Sequence, residues 1–259
     1  MVVDADTRRF VDTLLPVLGI PATRRARWRL RWVRCYRQET DLLLALQSRR
    51  LTREWVRRSV RCSGTVPAGG AILVTPHLTH QRLGTLLLSD MVEKLGVITG
   101  APRDPAERAQ WDPTFQHVWR LGRPLRERVY GGRIFRRYDA GRKGLRLLSE
   151  GGYLVIHADN CTFGGTPHLL LGREWWLPRG PVWFAQQSGK PIVPFMVEPE
   201  RGKWHVWIGD PVPPIPEAVM GALEACIRRA PGSWDRVLAL EWLRRPEGRP
   251  DVQAGGDSR

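Results

Sequence analysis

The chain has 259 residues, with 41 basic side chains against 26 acidic ones, a formal net charge of +15, 42% hydrophobic and 26% charged residues. That is enough chain for one large or two small domains with a real core, and the balance excludes general disorder. No apolar run approaches the ~18–20 residues of a membrane span, and Asp4, Asp6, Arg8, Arg9 and Asp12 interrupt the stretch where a secretory signal would be apolar.

Residues 1–61 read as helical, broken near Leu18-Gly19-Ile20-Pro21. Turns follow from Ser63-Gly64 to Ala68-Gly69-Gly70. Ala71–Thr75 is a short apolar run between Gly and Pro, as expected of a buried strand. Leu83–Leu95 reads as a helix and Val97–Thr99 as a strand. Residues 101–131 carry Pro102, Pro105, Pro113 and Pro124 and read as loop with helical pieces. Arg133–Phe135 is a candidate strand. Gly141–Ser149 is helical, with Gly151-Gly152 stopping it. Tyr153–Ala158 is a strand ending in Asp159, and Leu169–Trp176 is mixed. Gly180–Ser188 reads as a helix, Pro191–Val197 as a strand and Trp204–Ile208 as an exposed-edge strand. Ile215–Arg229 and Trp234–Arg244 are helices, and a Gly/Asp/Ser-rich tail follows from Glu247. Strands alternating with helices imply an α/β fold around a central, mostly parallel sheet flanked by helices. The division is 1–61, an Arg/Trp-rich helical segment; 62–245, an α/β domain; and 246–259, a flexible tail.

The charge is uneven. Arginine supplies 37 of the basic residues, and 13 of them lie between Arg24 and Arg61 against Glu39, Asp41 and Glu54. Ten of the fifteen net charges therefore sit in 38 residues. Trp28, Trp32 and Tyr36 recur there at helical spacing, among Arg25, Arg29, Arg31 and Arg34. Such a helix suits an anionic membrane surface; it equally suits packing of the aromatic stripe on a core. Nucleic acid is the weaker reading, because no nucleic-acid-binding signature accompanies the stretch. Cys35, Cys62, Cys161 and Cys226 form no CxxC pair or zinc spacing and read as reduced thiols of a cytosolic protein.

Three clusters fall at strand ends, where open α/β sheets place their sites. The first is Val74-Thr75-Pro76-His77-Leu78-Thr79-His80-Gln81-Arg82. The second is Gly131-Gly132-Arg133-Ile134-Phe135-Arg136-Arg137. The third is Tyr153-Leu154-Val155-Ile156-His157-Ala158-Asp159, followed by Leu177-Pro178-Arg179-Gly180 and Pro191-Ile192-Val193-Pro194.

In order and spacing, about 66–245 resembles the bacterial lipid A and lysophospholipid acyltransferases. The resemblance implies a glycerolipid acyltransferase-like sheet and makes His77 the catalytic base. Gly132, Phe135 and Arg136 or Arg137 take the block that faces the acceptor's anionic group. Asp159 takes the strand-end aspartate, Pro178 and Gly180 the turn that opens a helix, and Val193-Pro194 the last strand block. Pro231 and Trp234 look like the family's C-terminal Pro and Trp. The donor is then acyl-CoA or an acyl carrier protein, and the acceptor a lysophospholipid or lipid A-like hydroxyl. Neither metal nor bound cofactor is required, and the location is peripheral, on the cytoplasmic face of the cell membrane.

One position departs from the pattern. The family has an acidic residue five after the histidine, and here that residue is Arg82. A carboxylate orients the imidazole and stabilises its charged form; an arginine repels it. Three readings stay open. Asp159, Asp104 or Asp112 reaches His77 through space; or His77 works with a backbone carbonyl or with His80; or catalysis is lost and the chain binds lipid or carrier protein without turnover. Arg82 is kept as a substrate-binding candidate. Arg142, Arg173 and Arg179 are further phosphate candidates, with solvated surface preferred for Arg142 and Arg173. Trp175, Trp176 and Trp183 are candidates for an acyl groove or simply core. His157 is a candidate second site residue, with a core histidine the preferred reading, and His117, His168 and His205 show no partner in the sequence.

Overall fold

The run Ala71–Thr75 has no polar side chain before its last residue, and it becomes the middle strand of a seven-stranded sheet. The computed structural model describes residues 12–19, 21, 58, 60–78, 81–99, 134–160, 165–200, 203–234 and 236–245. Within them the strands are β1 (Val60–Ser63), β2 (Ala71–Thr75), β3 (Leu95–Thr99), β4 (Ile134–Arg136), β5 (Tyr153–His157), β6 (Gly165–Leu170), β7 (Arg173–Pro178), β8 (Ile192–Glu200) and β9 (Lys203–Ile208). Residues 12–17 are helical, and the helices that follow are α1 (Gln81–Met91), α2 (Arg137–Ser149), α3 (Gly180–Ser188), α4 (Pro216–Arg229) and α5 (Arg236–Arg244). Strand order is β1-β9-β8-β2-β5-β3-β4. All pairings in this sheet are parallel except the antiparallel β8–β9 pair. The fold is therefore α/β with a mixed, mostly parallel sheet.

Both faces of β2 are covered, which is why it reads as a continuous apolar run. Ile72 and Val74 face a core shared with Leu154, Ile156, Leu148, Phe184 and the buried side of α4. Ala71 and Leu73 face a second core with Val155, Val193 and Leu87 and Leu88 of α1. In α4 the buried residues are Val219, Met220, Ala222, Leu223, Cys226 and Ile227, one apolar stripe at helical spacing. Pro216 opens that helix at a position where its missing N–H costs nothing.

The turn into β5 is set by two glycines. Gly151 adopts φ +75°, its N–H bonds Leu148 O at 3.1 Å, and the Gly152 N–H bonds Leu147 O at 2.9 Å. This pair of bonds closes α2 as a Schellman motif and fixes where β5 begins. The mixed segment at 169–176 resolves into an antiparallel hairpin of β6 and β7, turning at Leu171 (φ 51°) and Gly172 (φ 79°). Positive φ at both central residues is the twist-matched two-residue turn, and the Leu171 N–H is held by the Glu224 carboxylate.

Two expectations change. Trp204–Ile208 is not an edge strand: β9 lies between β8 and β1, and its alternation comes from one covered and one partly open face. The boundary at 61/62 falls inside β1, so Val60 and Arg61 belong to the sheet rather than to a helical segment. Leu14 and Leu15 are also buried in the main core, and Arg228 donates to Val17 O at 3.3 Å. Trp28, Trp32, Tyr36, the arginines from Arg24 to Arg57, residues 101–131 and the tail from 246 lie outside the described residues. Among the described residues no helix is long and apolar enough to cross a membrane.

Two glycines give opposite expectations. A methyl at Gly144 would stand 2.6 Å from Phe184 Cε1 and 3.1 Å from Leu154 Cδ2. Gly144→Ala should lose about 1–3 kcal/mol by overpacking. Gly221 sits exposed inside α4, and a methyl added there would meet nothing within 4 Å. Gly221→Ala should therefore gain about 0.5–1 kcal/mol. Urea unfolding measures both, and equal signs would contradict this packing.

Candidate active site

β2 and β5 are parallel neighbours, with Thr75 opposite His157. The Ala158 N–H donates to Thr75 O at 3.1 Å and adds one more rung. Two residues beyond the paired positions stand His77 and Asp159. Parallel register thus delivers both to the same carboxyl edge of the sheet, although 82 residues separate them in the chain.

The Asp159 side chain is fully buried and accepts three hydrogen bonds. His77 Nδ1 lies 2.5 Å from Oδ1. The His77 backbone N–H donates to Oδ2 at 2.8 Å, and the Trp234 indole N–H donates to the same oxygen at 2.9 Å. An ionised carboxylate only accepts, so Nδ1 carries a proton, and in the neutral imidazole the lone pair is then on Nε2. The His77 side chain remains 28% exposed, which leaves the ring within reach of a ligand. Burial pushes the Asp159 carboxyl up, but the His77 charge, the His77 ring and backbone N–H groups and the Trp234 indole outweigh it. The net effect holds Asp159 below the usual carboxylate range.

Among the described residues, buried indoles flank Asp159. The Trp175 indole, 3% exposed, donates to the Asp159 carbonyl at 2.8 Å. Trp234 also bridges Leu78, the residue after His77. Burial pushes the Cys226 thiol up to about 12, against the pull of Arg229 and with the help of the Asp159 charge. It stays a neutral thiol at ordinary pH. The His157 ring lies 4.8 Å from that of His77 at a 37° tilt, so this half-buried histidine belongs to the site rather than to the core.

The other candidates divide. Gly180 starts α3, and a Cβ there would be 4.0 Å from Ile156 Cδ1, so Pro178 and Gly180 do bring a helix start to the end of β5. Phe135 is a core residue: its ring fills the space beside Gly96, where a Cβ would lie 2.8 Å away. Arg136 ends β4 and Arg137 begins α2. At about 4.8 Å per strand, the end of β4 is about 10 Å along the sheet edge from β5. Arg82 lies in the first turn of α1. The side chains of Arg82, Arg136 and Arg137, and the whole of His80, Gly132, Asp104, Asp112 and His117, lie outside the described residues. Arg173 is a structural residue, donating to Leu243 O at 3.2 Å and Arg245 O at 2.6 Å over the Trp242 ring. Trp175 is core, whereas Trp176 and Trp183 are exposed. His168 bonds Thr166 and His205 bonds Ser63. Among the described residues no group of three or more His, Cys, Asp or Glu side chains is arranged to hold a metal ion.

The sequence leaves His157 between site and core and gives no sign of the Trp175 bond to Asp159. Only the register of β2 on β5 brings His157 beside His77, and only the hairpin brings Trp175 to Asp159.

The depressed Asp159 carboxyl has a stability consequence. Because its folded value lies below the unfolded one, its contribution is complete above the unfolded value of about 3.9. It is lost as pH falls further, through the folded value. Asp159→Asn should therefore cost about 1–3 kcal/mol at pH 7, with the gap to wild type closing below about pH 4. Urea unfolding across pH tests this; a gap that stays constant down to acid unfolding would contradict it.

No protein-family model matches the chain and a search of curated proteins finds no relative, so the reading of function rests on the site itself.

Proposed function

We propose that this chain is an acyltransferase of the bacterial lipid A and lysophospholipid type. It moves a fatty acyl chain from acyl-CoA or an acyl carrier protein to a hydroxyl of a lysophospholipid or lipid A-like acceptor. It works as a peripheral protein on the cytoplasmic face of the cell membrane. The single observation that carries the reading is the 2.5 Å contact of His77 Nδ1 with the buried Asp159 carboxylate at adjacent strand ends. The ordered sequence blocks around it are the second support.

The chemistry follows from the tautomer. Nε2 of His77 takes the proton of the acceptor hydroxyl as its oxygen attacks the thioester carbonyl. The imidazolium that forms is stabilised by the Asp159 charge. Collapse of the tetrahedral intermediate breaks the C–S bond, and the departing thiolate takes the proton back from Nε2. Products are the acyl ester and the free thiol. Arg136 or Arg137 binds the acceptor's phosphate, a task suited to the planar guanidinium. No metal enters this sequence. A family member that binds lipid or carrier protein without turnover is the alternative, and Arg82 is the feature that favours it.

The test uses purified protein with a long-chain acyl-CoA or acyl carrier protein and a lysophospholipid in mixed micelles, reading thiol release and ester formation together. Transfer should occur, and His77→Ala should lower kcat about 10²–10⁴-fold while vesicle binding persists. Wild-type turnover in His77→Ala would show the base to be wrong. Binding of both substrates by wild type without any transfer would select the alternative. In the active enzyme, Arg136→Ala or Arg137→Ala should raise KM for a phosphate-bearing acceptor and leave a neutral acceptor unaffected. An unchanged KM in both variants would move the phosphate site elsewhere.

A further inference from the structure

Oδ1 of Asp159 faces His77 Nδ1, whereas Oδ2 takes two other donors, the His77 backbone N–H and the Trp234 indole N–H. Two donors on one oxygen fix the rotation of the carboxylate and so decide what the other oxygen presents to the imidazole. Trp234 is itself tightly placed. It is fully buried, its backbone bridges Leu78 beside His77, and its ring meets the edges of Trp175 at 6.4 Å and Trp242 at 6.1 Å. Trp175 holds the Asp159 carbonyl and Trp242 the Leu170 carbonyl. The 3-10 turn Pro231–Ser233 that delivers Trp234 follows directly from α4 and Ala230.

We infer that Trp234 is a positioning residue: its indole N–H locks the Asp159 carboxylate so that His77 is held as the single tautomer protonated at Nδ1. The role builds on the proposed acyl transfer, but the lock itself is a property of the resting protein. It acts through Asp159, without touching the substrate. Trp242 offers an internal comparison, because it makes the same kind of buried indole bond to a backbone carbonyl, away from the carboxylate.

Trp234→Phe keeps a ring in place and removes the donor; Trp242→Phe does the same at the comparison site. The readouts are the ¹⁵N shifts of the His77 ring and, in the assay above, kcat and KM. Wild type should show one tautomer, protonated at Nδ1. Trp234→Phe should show a mixture of tautomers and a kcat about tenfold lower at nearly unchanged KM. Trp242→Phe should lower stability and leave the tautomer alone. A pure Nδ1–H tautomer in Trp234→Phe overturns the inference, as does an equal mixture in Trp242→Phe. If wild type transfers no acyl group, the proposed activity fails while the tautomer comparison still decides the positioning role. If Trp234→Phe does not fold, the unaltered protein supplies the test. The Trp234 indole proton should resonate downfield of those of Trp175 and Trp242, because its acceptor is charged. Coincidence with those two would overturn the inference.

Discussion

A negative charge buried without water survives only where donors surround it. Asp159 meets that condition with a ring N–H, a backbone N–H and an indole N–H on its two oxygens. The donors arrive from two distant pieces of chain: the end of β2 supplies two, and the turn after α4 supplies the third. A second indole, from the hairpin, holds the Asp159 carbonyl. The carboxyl edge of the sheet is therefore organised around one anion, with His77 Nδ1 turned toward it.

Under the proposed acyl transfer, the same arrangement accounts for Arg82 at the position where the resemblance implies an acid. An acid in the first turn of α1 would orient His77 from the helix that follows it. Here the orienting carboxylate comes sideways, from the neighbouring strand. The position on α1 is then released from that duty and can carry a positive charge. Such a charge in a first helical turn runs against the helix dipole, so dipole stabilisation is not what accounts for the arginine there.

Much of the fold was legible because its signals are local. Ala71–Thr75 and Tyr153–His157 are apolar runs closed by Pro or Asp. Gly151 and Gly189 mark helix ends that need positive φ, and Pro216 marks a helix start. Pairing was not legible. Trp204–Ile208 alternates like an edge strand, yet β1 covers its outer side, and four residues beginning at Val60 gave no sign of doing so. His77 and Asp159 could be named from the blocks they stand in, and Asp159 preferred to Asp104 or Asp112 through the resemblance, but their contact could not be derived. The choice depends on β2 lying beside β5 in a register that sequence spacing does not encode. Trp234 was visible as part of a resemblance, and its indole bond to Asp159 was not.

The central claim is that His77 and Asp159 act as one unit in acyl transfer. A double-mutant cycle tests it most directly, comparing kcat for His77→Ala, Asp159→Asn and the two combined, with folding of each variant verified. Residues that work as a unit lose their effect together. The double variant should be no slower than His77→Ala by more than a few-fold. Losses that multiply would mean that the two residues act independently, and would contradict it.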